Sequence, residues 1–170
     1  MKIKTAKTQA SVEEGIGWIT SNQPEKRNAI SLSMWEALGT ILESFNNDPA
    51  VRVVVMKGAG GKAFVSGADI SEFEAKRSNA RQRAEYGEVA AAANRGLATI
   101  NKPLIAMIQG YCIGGGLATA LNADVRFATP ESTFGIPAAR LGLGYEMSGL
   151  RALLALAGPA HARDIMISAR

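Results

Sequence analysis

One histidine and one cysteine, His161 and Cys112, are all that this sequence contains of either residue. A lone cysteine excludes a disulfide within the chain and fits a reducing compartment. A metal site built on clustered His and Cys is equally excluded, and His161 lies far in sequence from Cys112, on a predicted helix where a surface position is expected. A Ser-His-Asp or Cys-His hydrolase would have to recruit that single imidazole, and no GxSxG elbow is present. Cys112 reads as a small buried thiol. No apolar run approaches the length of a membrane span, and the N-terminal "MKIKTAKTQA" lacks the apolar stretch of a signal peptide, so a cytoplasmic protein is expected.

What is present describes a globular protein. Of 170 residues, 47% are hydrophobic and 20% charged, which is neither a disordered composition nor a membrane one. A chain of this length forms one domain and buries about 70% of the surface exposed when unfolded. The formal charge of +4 comes without a dense basic run, which suits a phosphorylated small molecule better than a nucleic-acid groove.

Strand and helix signals alternate along the chain. "IGWITSN" (16–22) reads as a strand, ended by the loop "NQPEKRNA". Ser33 and Glu36 have the spacing of a capping box for a helix that places Met34, Leu38, Ile41, Leu42 and Phe45 on one face, and Asp48-Pro49 stops it. "VRVVVM" (51–56) is a β-branched strand, followed by the glycine loop "KGAGGKAF" and a turn at "SGADI". Residues 72–100 favour one or two helices. "KPLIAMIQG" and "DVRFA" supply two further buried strands and "STFGIP" a short one, and the last 20 residues read as helical. Apolar strands separated by helices predict a parallel α/β arrangement.

Two glycine-rich stretches bear on chemistry. "KGAGGKAF" fails as a Walker A loop, because Ala63 follows Lys62 where Ser or Thr is needed and Met56 stands where the first glycine belongs. In "GYCIGGGLATA" three glycines, Gly114 to Gly116, open a short apolar helix. Free N–H groups at such a helix start let a ligand's polar atom approach the backbone.

The stretches "NQPEKRNAI", "VRVVVMKGAGGKAFVSGADI", "KPLIAMIQGYCIGGGL", "DVRFATPESTFGIPAARLGLG" and "AHARDIMISAR" together resemble the crotonase, or enoyl-CoA hydratase/isomerase, superfamily, in order and at its spacing. The resemblance covers nearly the whole chain. It implies an α/β fold, a spiral of repeated ββα units, and binding of an acyl-CoA thioester whose coenzyme A is part of the substrate, with no prosthetic group. It also implies an oxyanion hole formed by the N–H groups of Ala68 and Gly115, which would stabilise a thioester enolate. Lys26, Arg27, Asn28 and Ala29 occupy the place where the family grips pantetheine and phosphates, and Ala68, Asp69, Ile70 and Ser71 the place where it holds adenine with backbone groups. The family continues past "ISAR" with helices that close the pocket and build trimers or hexamers, so the resemblance implies that residues 1–170, one acyl-CoA-binding core domain, are expected to be the N-terminal part of a longer protein.

The sequence departs from the family at the acid-base groups. Hydratases carry one glutamate two residues after the last glycine of the triplet and another directly after the proline of "FGxP"; here those positions hold Ala118 and Ala138. Alanine moves no proton. In "LGLGYEMSG", Tyr145 resembles a tyrosine of the superfamily's decarboxylases, and Glu146 stands near the carboxylate nucleophile of its dehalogenases, making both candidate catalytic residues. Should Glu146 point inward, Ala118, Ala138 and Leu143 are expected to form an apolar wall that raises its pKa. Three functions follow from this resemblance: an acyl-CoA enzyme using the oxyanion hole, a decarboxylase or other non-hydratase chemistry using Tyr145 or Glu146, and a non-catalytic acyl-CoA-binding paralogue.

Overall fold

A computed structural model describes residues 3–72, 75, 78–145 and 147–169. The chain opens with a hairpin. Strand β1 (Thr8–Glu13) pairs antiparallel with β2 (Ile16–Ser21), and the two-residue turn between them has positive φ at both Glu14 (52°) and Gly15 (87°), the conformation that matches strand twist. Helix α1 (Leu32–Asn47) then crosses to β3 (Val53–Gly58), which lies parallel to β2. The face predicted from spacing is the buried one: Met34, Leu38, Ile41, Leu42 and Phe45 all lie in the core, and Asp48 is the C-cap.

The start of α1 differs from the predicted capping box. Ser31 holds the N-cap position, Ser33 lies inside the helix, and Ser31 makes no side-chain cap bond. The Leu32 N–H donates instead to Glu72 Oε2 at 2.9 Å, so a carboxylate distant in sequence replaces the local cap. An acidic group at this end of a helix also opposes the positive pole of its dipole.

Three successive units follow, each placing one strand in a large sheet and the next in a small one before a helix returns the chain. The first is β3, β4 (Ala63–Val65) and α2 (Ala80–Thr99); the second is β5 (Leu104–Ile108), β6 (Tyr111–Ile113) and α3 (Gly115–Leu121); the third is β7 (Val125–Ala128), β8 (Thr133–Gly135) and α4 (Met147–Ser168). The large sheet has the order β1-β2-β3-β5-β7 and the small one β4-β6-β8. All pairings are parallel except that of β1 with β2. This is the mixed α/β spiral of ββα units. Strand β3 is shifted two residues from its predicted start, and β4 and β6 lie in stretches read as glycine-rich loops, being too short to show an apolar period.

Helix α4 occupies the predicted C-terminal helical stretch, but it is broken at Gly158, whose φ of 75° is non-helical, just before Pro159. His161 is exposed and Cys112 fully buried, as the sequence suggested. Among the described residues, no helix is long and apolar enough to cross a membrane.

Candidate active site

The three glycines of the β6–α3 corner answer to three different constraints. Gly114, at the N-cap, adopts φ 55° and ψ −116°, a conformation that L-residues rarely reach. Its N–H donates to the Gly135 carbonyl at 2.8 Å and its carbonyl accepts from the Ala118 N–H at 3.0 Å. Gly116 is required by packing, because a Cβ there would lie 2.2 Å from the Val65 carbonyl oxygen. Gly115 is under neither constraint: its Cβ would meet only the Trp35 ring, at 3.9 Å. As the first residue of α3, Gly115 has an N–H without an intrahelical acceptor, and among the described residues no hydrogen bond uses it.

Ala68 stands on the neighbouring loop. The Ile30 N–H donates to the Gly67 carbonyl at 2.7 Å and the Asp69 N–H to the Ile30 carbonyl at 2.8 Å, forming an isolated parallel bridge between Ile30 and Ala68. Backbone polar groups alternate in direction along an extended segment, so the Ala68 N–H points away from Ile30. It too makes no hydrogen bond among the described residues. The Ala68 loop runs alongside the glycine corner: a Cβ at Gly114 would lie 3.9 Å from Gly67 Cα, and one at Gly67 would lie 3.7 Å from the Ile113 carbonyl oxygen. The fold thus brings Ala68 and Gly115 into one neighbourhood, each with an uncommitted N–H.

The loop from Gln23 to Ala29 borders the same corner, with its side chains divided between interior and surface. Asn28 is completely buried and has φ 56°. Its Oδ1 accepts from the Gln23 N–H at 2.9 Å, and its Nδ2 donates to the carbonyls of Ala59 (2.9 Å) and Ala63 (2.8 Å). Asn28 and buried Ala29 therefore hold the loops in place and present no side-chain surface to a ligand. Asp69 is buried as well. Its carboxylate accepts from Lys26 Nζ (2.9 Å), Gln23 Nε2 (3.2 Å), and the Oγ (2.6 Å) and N–H (3.1 Å) of Ser71. Burial by itself would raise its pKa, but the bonds from Ser71, Lys26 and Gln23 outweigh it and bring the value down to about 2.

Lys26, Arg27, Ile70 and Ser71 are exposed. The Arg27 guanidinium lies 4.9 Å from the centroid of the Tyr111 ring, and the Arg27 carbonyl accepts from the Ser66 N–H at 3.1 Å.

Of the acid-base candidates, Ala118 is half-buried, Ala138 buried and Leu143 54% exposed, so Leu143 adds nothing to a closed apolar wall. Glu146 lies outside the described residues. Tyr145 is half-buried, its ring packed where a Cβ at Gly149 would approach to 2.7 Å, and burial raises the pKa of its hydroxyl. Among the described residues no hydrogen bond joins Tyr145 to Ala68 or Gly115. Sequence reasoning missed Gln23, Glu72 and Trp35, whose importance arises from partners far along the chain.

Known proteins share this architecture. The family profile described as Enoyl-CoA hydratase/isomerase matches residues 11–170. The short-chain-enoyl-CoA hydratase of Clostridium acetobutylicum is 32% identical over 158 residues, covering 93% of this chain and 60% of that protein. The mitochondrial 3-hydroxyisobutyryl-CoA hydrolase of Mus musculus is 37% identical over 139 residues, covering 78% of this chain and 35% of that protein. Among crystal structures, an enoyl-CoA hydratase/carnithine racemase from Magnetospirillum magneticum superposes with a TM-score of 0.93 at 35% identity, over 98% of this chain and 62% of that one. The enoyl-CoA hydratase from Bacillus anthracis gives 0.90 at 27% identity, over 96% and 63%. The chain thus spans roughly three-fifths of the hydratases it resembles, and it belongs, by the match of nearly its whole length, to the enoyl-CoA hydratase/isomerase family of the crotonase superfamily.

Proposed function

We propose that this chain acts on an acyl-CoA by holding the thioester oxygen between the N–H groups of Ala68 and Gly115. The observation that carries this reading is the adjacency of two uncommitted backbone donors, each just past the end of one of two paired parallel strands. When the thioester becomes an enolate, its oxygen gains negative charge. Fixed donors aimed at that oxygen stabilise the transition state more than the ground state and need no reorganisation. The exposed side chains of Arg27, Ile70 and Ser71 border the site on the coenzyme A side, while Asn28, Ala29 and Asp69 fix the loops beneath.

Similarity to proteins named as hydratases supports the substrate class but not their proton transfer, because Ala118 and Ala138 supply no carboxylate. Crotonyl-CoA hydration is therefore expected to be slow, and the proton to be moved by Tyr145 or Glu146. Incubation with crotonyl-CoA, methylmalonyl-CoA and an aryl-CoA panel, with products read by mass, tests the reading. Tyr145→Phe and Glu146→Gln, assayed on the thioester that turns over, identify the proton carrier by a loss on the order of 100-fold or more. Binding of these thioesters with no product from any would favour a non-catalytic acyl-CoA holder, the reading that the two alanines also support.

A further inference from the structure

Lys26 sits on the loop where a cation would meet the phosphates of coenzyme A, yet its ammonium is fully engaged within the protein. A lysine ammonium has three N–H donors. Lys26 Nζ lies 2.9 Å from Asp69 Oδ2, 3.3 Å from Asp69 Oδ1 and 2.7 Å from Ser71 Oγ, which accounts for all three. Asp69, in turn, is clamped on both sides. Its N–H is bound to the Ile30 carbonyl at 2.8 Å, and its carboxylate is held by Lys26, Ser71 and Gln23. Gln23 is itself anchored, its N–H on Asn28 Oδ1 at 2.9 Å and its Nε2 on the Ala29 carbonyl at 3.4 Å. The Asp69 end of this segment is thereby fixed, and the peptide that carries the Ala68 N–H, joining Gly67 to Ala68, is held through its carbonyl, which accepts from the Ile30 N–H at 2.7 Å.

We propose that Asp69 is a positioning residue, which keeps residues 67–69 seated against Ile30 and so fixes the direction of the Ala68 N–H, and that Lys26 is its counter-ion rather than a phosphate ligand. This rests on the reading of Ala68 as an oxyanion donor and adds what holds that donor in line. Removing either charge leaves the other without its partner, and for Asp69 that is a buried carboxylate. The loop then relaxes, and the donor moves off the thioester oxygen.

The test measures the carbonyl stretch of crotonyl-CoA, isotopically labelled at the thioester carbon, when bound to wild type, Lys26→Met, Lys26→Arg and Asp69→Asn. Affinities for crotonyl-CoA and for crotonyl-pantetheine, which lacks the nucleotide phosphates, are measured beside it. Each N–H donated to the oxygen lowers the stretch. The expected result is that Lys26→Met and Asp69→Asn lose about half of the wild-type downshift, the share of one donor of two. Lys26→Arg retains it, and the ratio of the two affinities is unchanged throughout.

Weakened binding of crotonyl-CoA with undiminished binding of crotonyl-pantetheine in Lys26→Met would make Lys26 a phosphate ligand and overturn the proposal, as would a full downshift in Asp69→Asn. Lys26 is exposed, so Lys26→Met carries the test should Asp69→Asn not fold. A wild-type protein that binds crotonyl-CoA with no downshift, or does not bind it, removes the oxyanion reading itself and the proposal with it. That outcome differs from a wild-type downshift that the variants keep, which overturns the positioning role alone.

Discussion

Val65 of β4 and Cys112 of β6 are partners in parallel register, and Ala68 and Gly115 stand three residues beyond them on their respective chains. Two segments leaving a parallel pair side by side stay adjacent for a few residues, so this pairing sets how the two candidate donors approach each other. The register is irregular between Ala63 and Val65, which reconciles β4 with β6 just before the site.

The differing roles of the glycines predict a separation of stability from activity. Gly116→Ala should destabilise the fold by about 1–3 kcal/mol or more through overpacking against the Val65 carbonyl, measured by urea denaturation. Gly115→Ala, with only an ordinary contact to Trp35 in its way, should unfold as the wild type does.

Gly115→Pro probes the N–H itself. Proline is tolerated at the first position of a helix, so the far-ultraviolet spectrum should be preserved. Loss of one oxyanion donor should lower turnover of the responsive thioester by about 100- to 1,000-fold. Full activity in this variant would falsify the role given to Gly115.

Replacing the alanines at the hydratase positions should have unequal consequences. Ala118→Glu places a carboxylate at a half-buried position and is expected to raise crotonyl-CoA hydration, toward the roughly 100- to 10,000-fold that general acid-base catalysis contributes. Ala138 is only 7% exposed, so Ala138→Glu should lower thermal stability. Steady-state hydration rates and melting curves of the two variants and their combination check both statements.

Acid should loosen the Asp69 clamp. The folded pKa of about 2 lies below the ordinary value of 3.8, so the folded state binds this proton less readily than the unfolded chain. The associated stability is fully present above the unfolded value and is lost as pH falls through 3.8 toward about 2. Asp69→Asn should flatten this part of the stability profile between pH 5 and pH 2, measured by denaturation at a series of pH values, at about the range where the linkage acts.

Cys112 should be inert in the native protein. Burial pushes its thiol up to about 12, and the residue has no exposed surface. An aromatic disulfide reagent at neutral pH should titrate no thiol in the folded chain and one after denaturation. Rapid native labelling would place the thiol at the surface.

Local pattern was sufficient for the buried face of α1, for the buried strands β3 and β5, and for a short helix opened by glycines, because each depends on spacing within one segment; β7, read as buried, is instead largely exposed at the edge of its sheet. The order of motifs likewise carried the family, since residues required for close packing and tight turns recur at fixed intervals along the chain. What local pattern could not supply was the partner of each polar group. The cap of α1 comes from Glu72, and the side chains of Asn28 and Asp69 turn inward to brace loops through Gln23, Ala59 and Lys26. A charged or amide side chain in a loop reads the same whether it faces solvent or interior. Only the tertiary structure, by bringing segments some forty residues apart into contact, decided that Lys26 spends its charge on Asp69 while the N–H groups of Ala68 and Gly115 remain uncommitted.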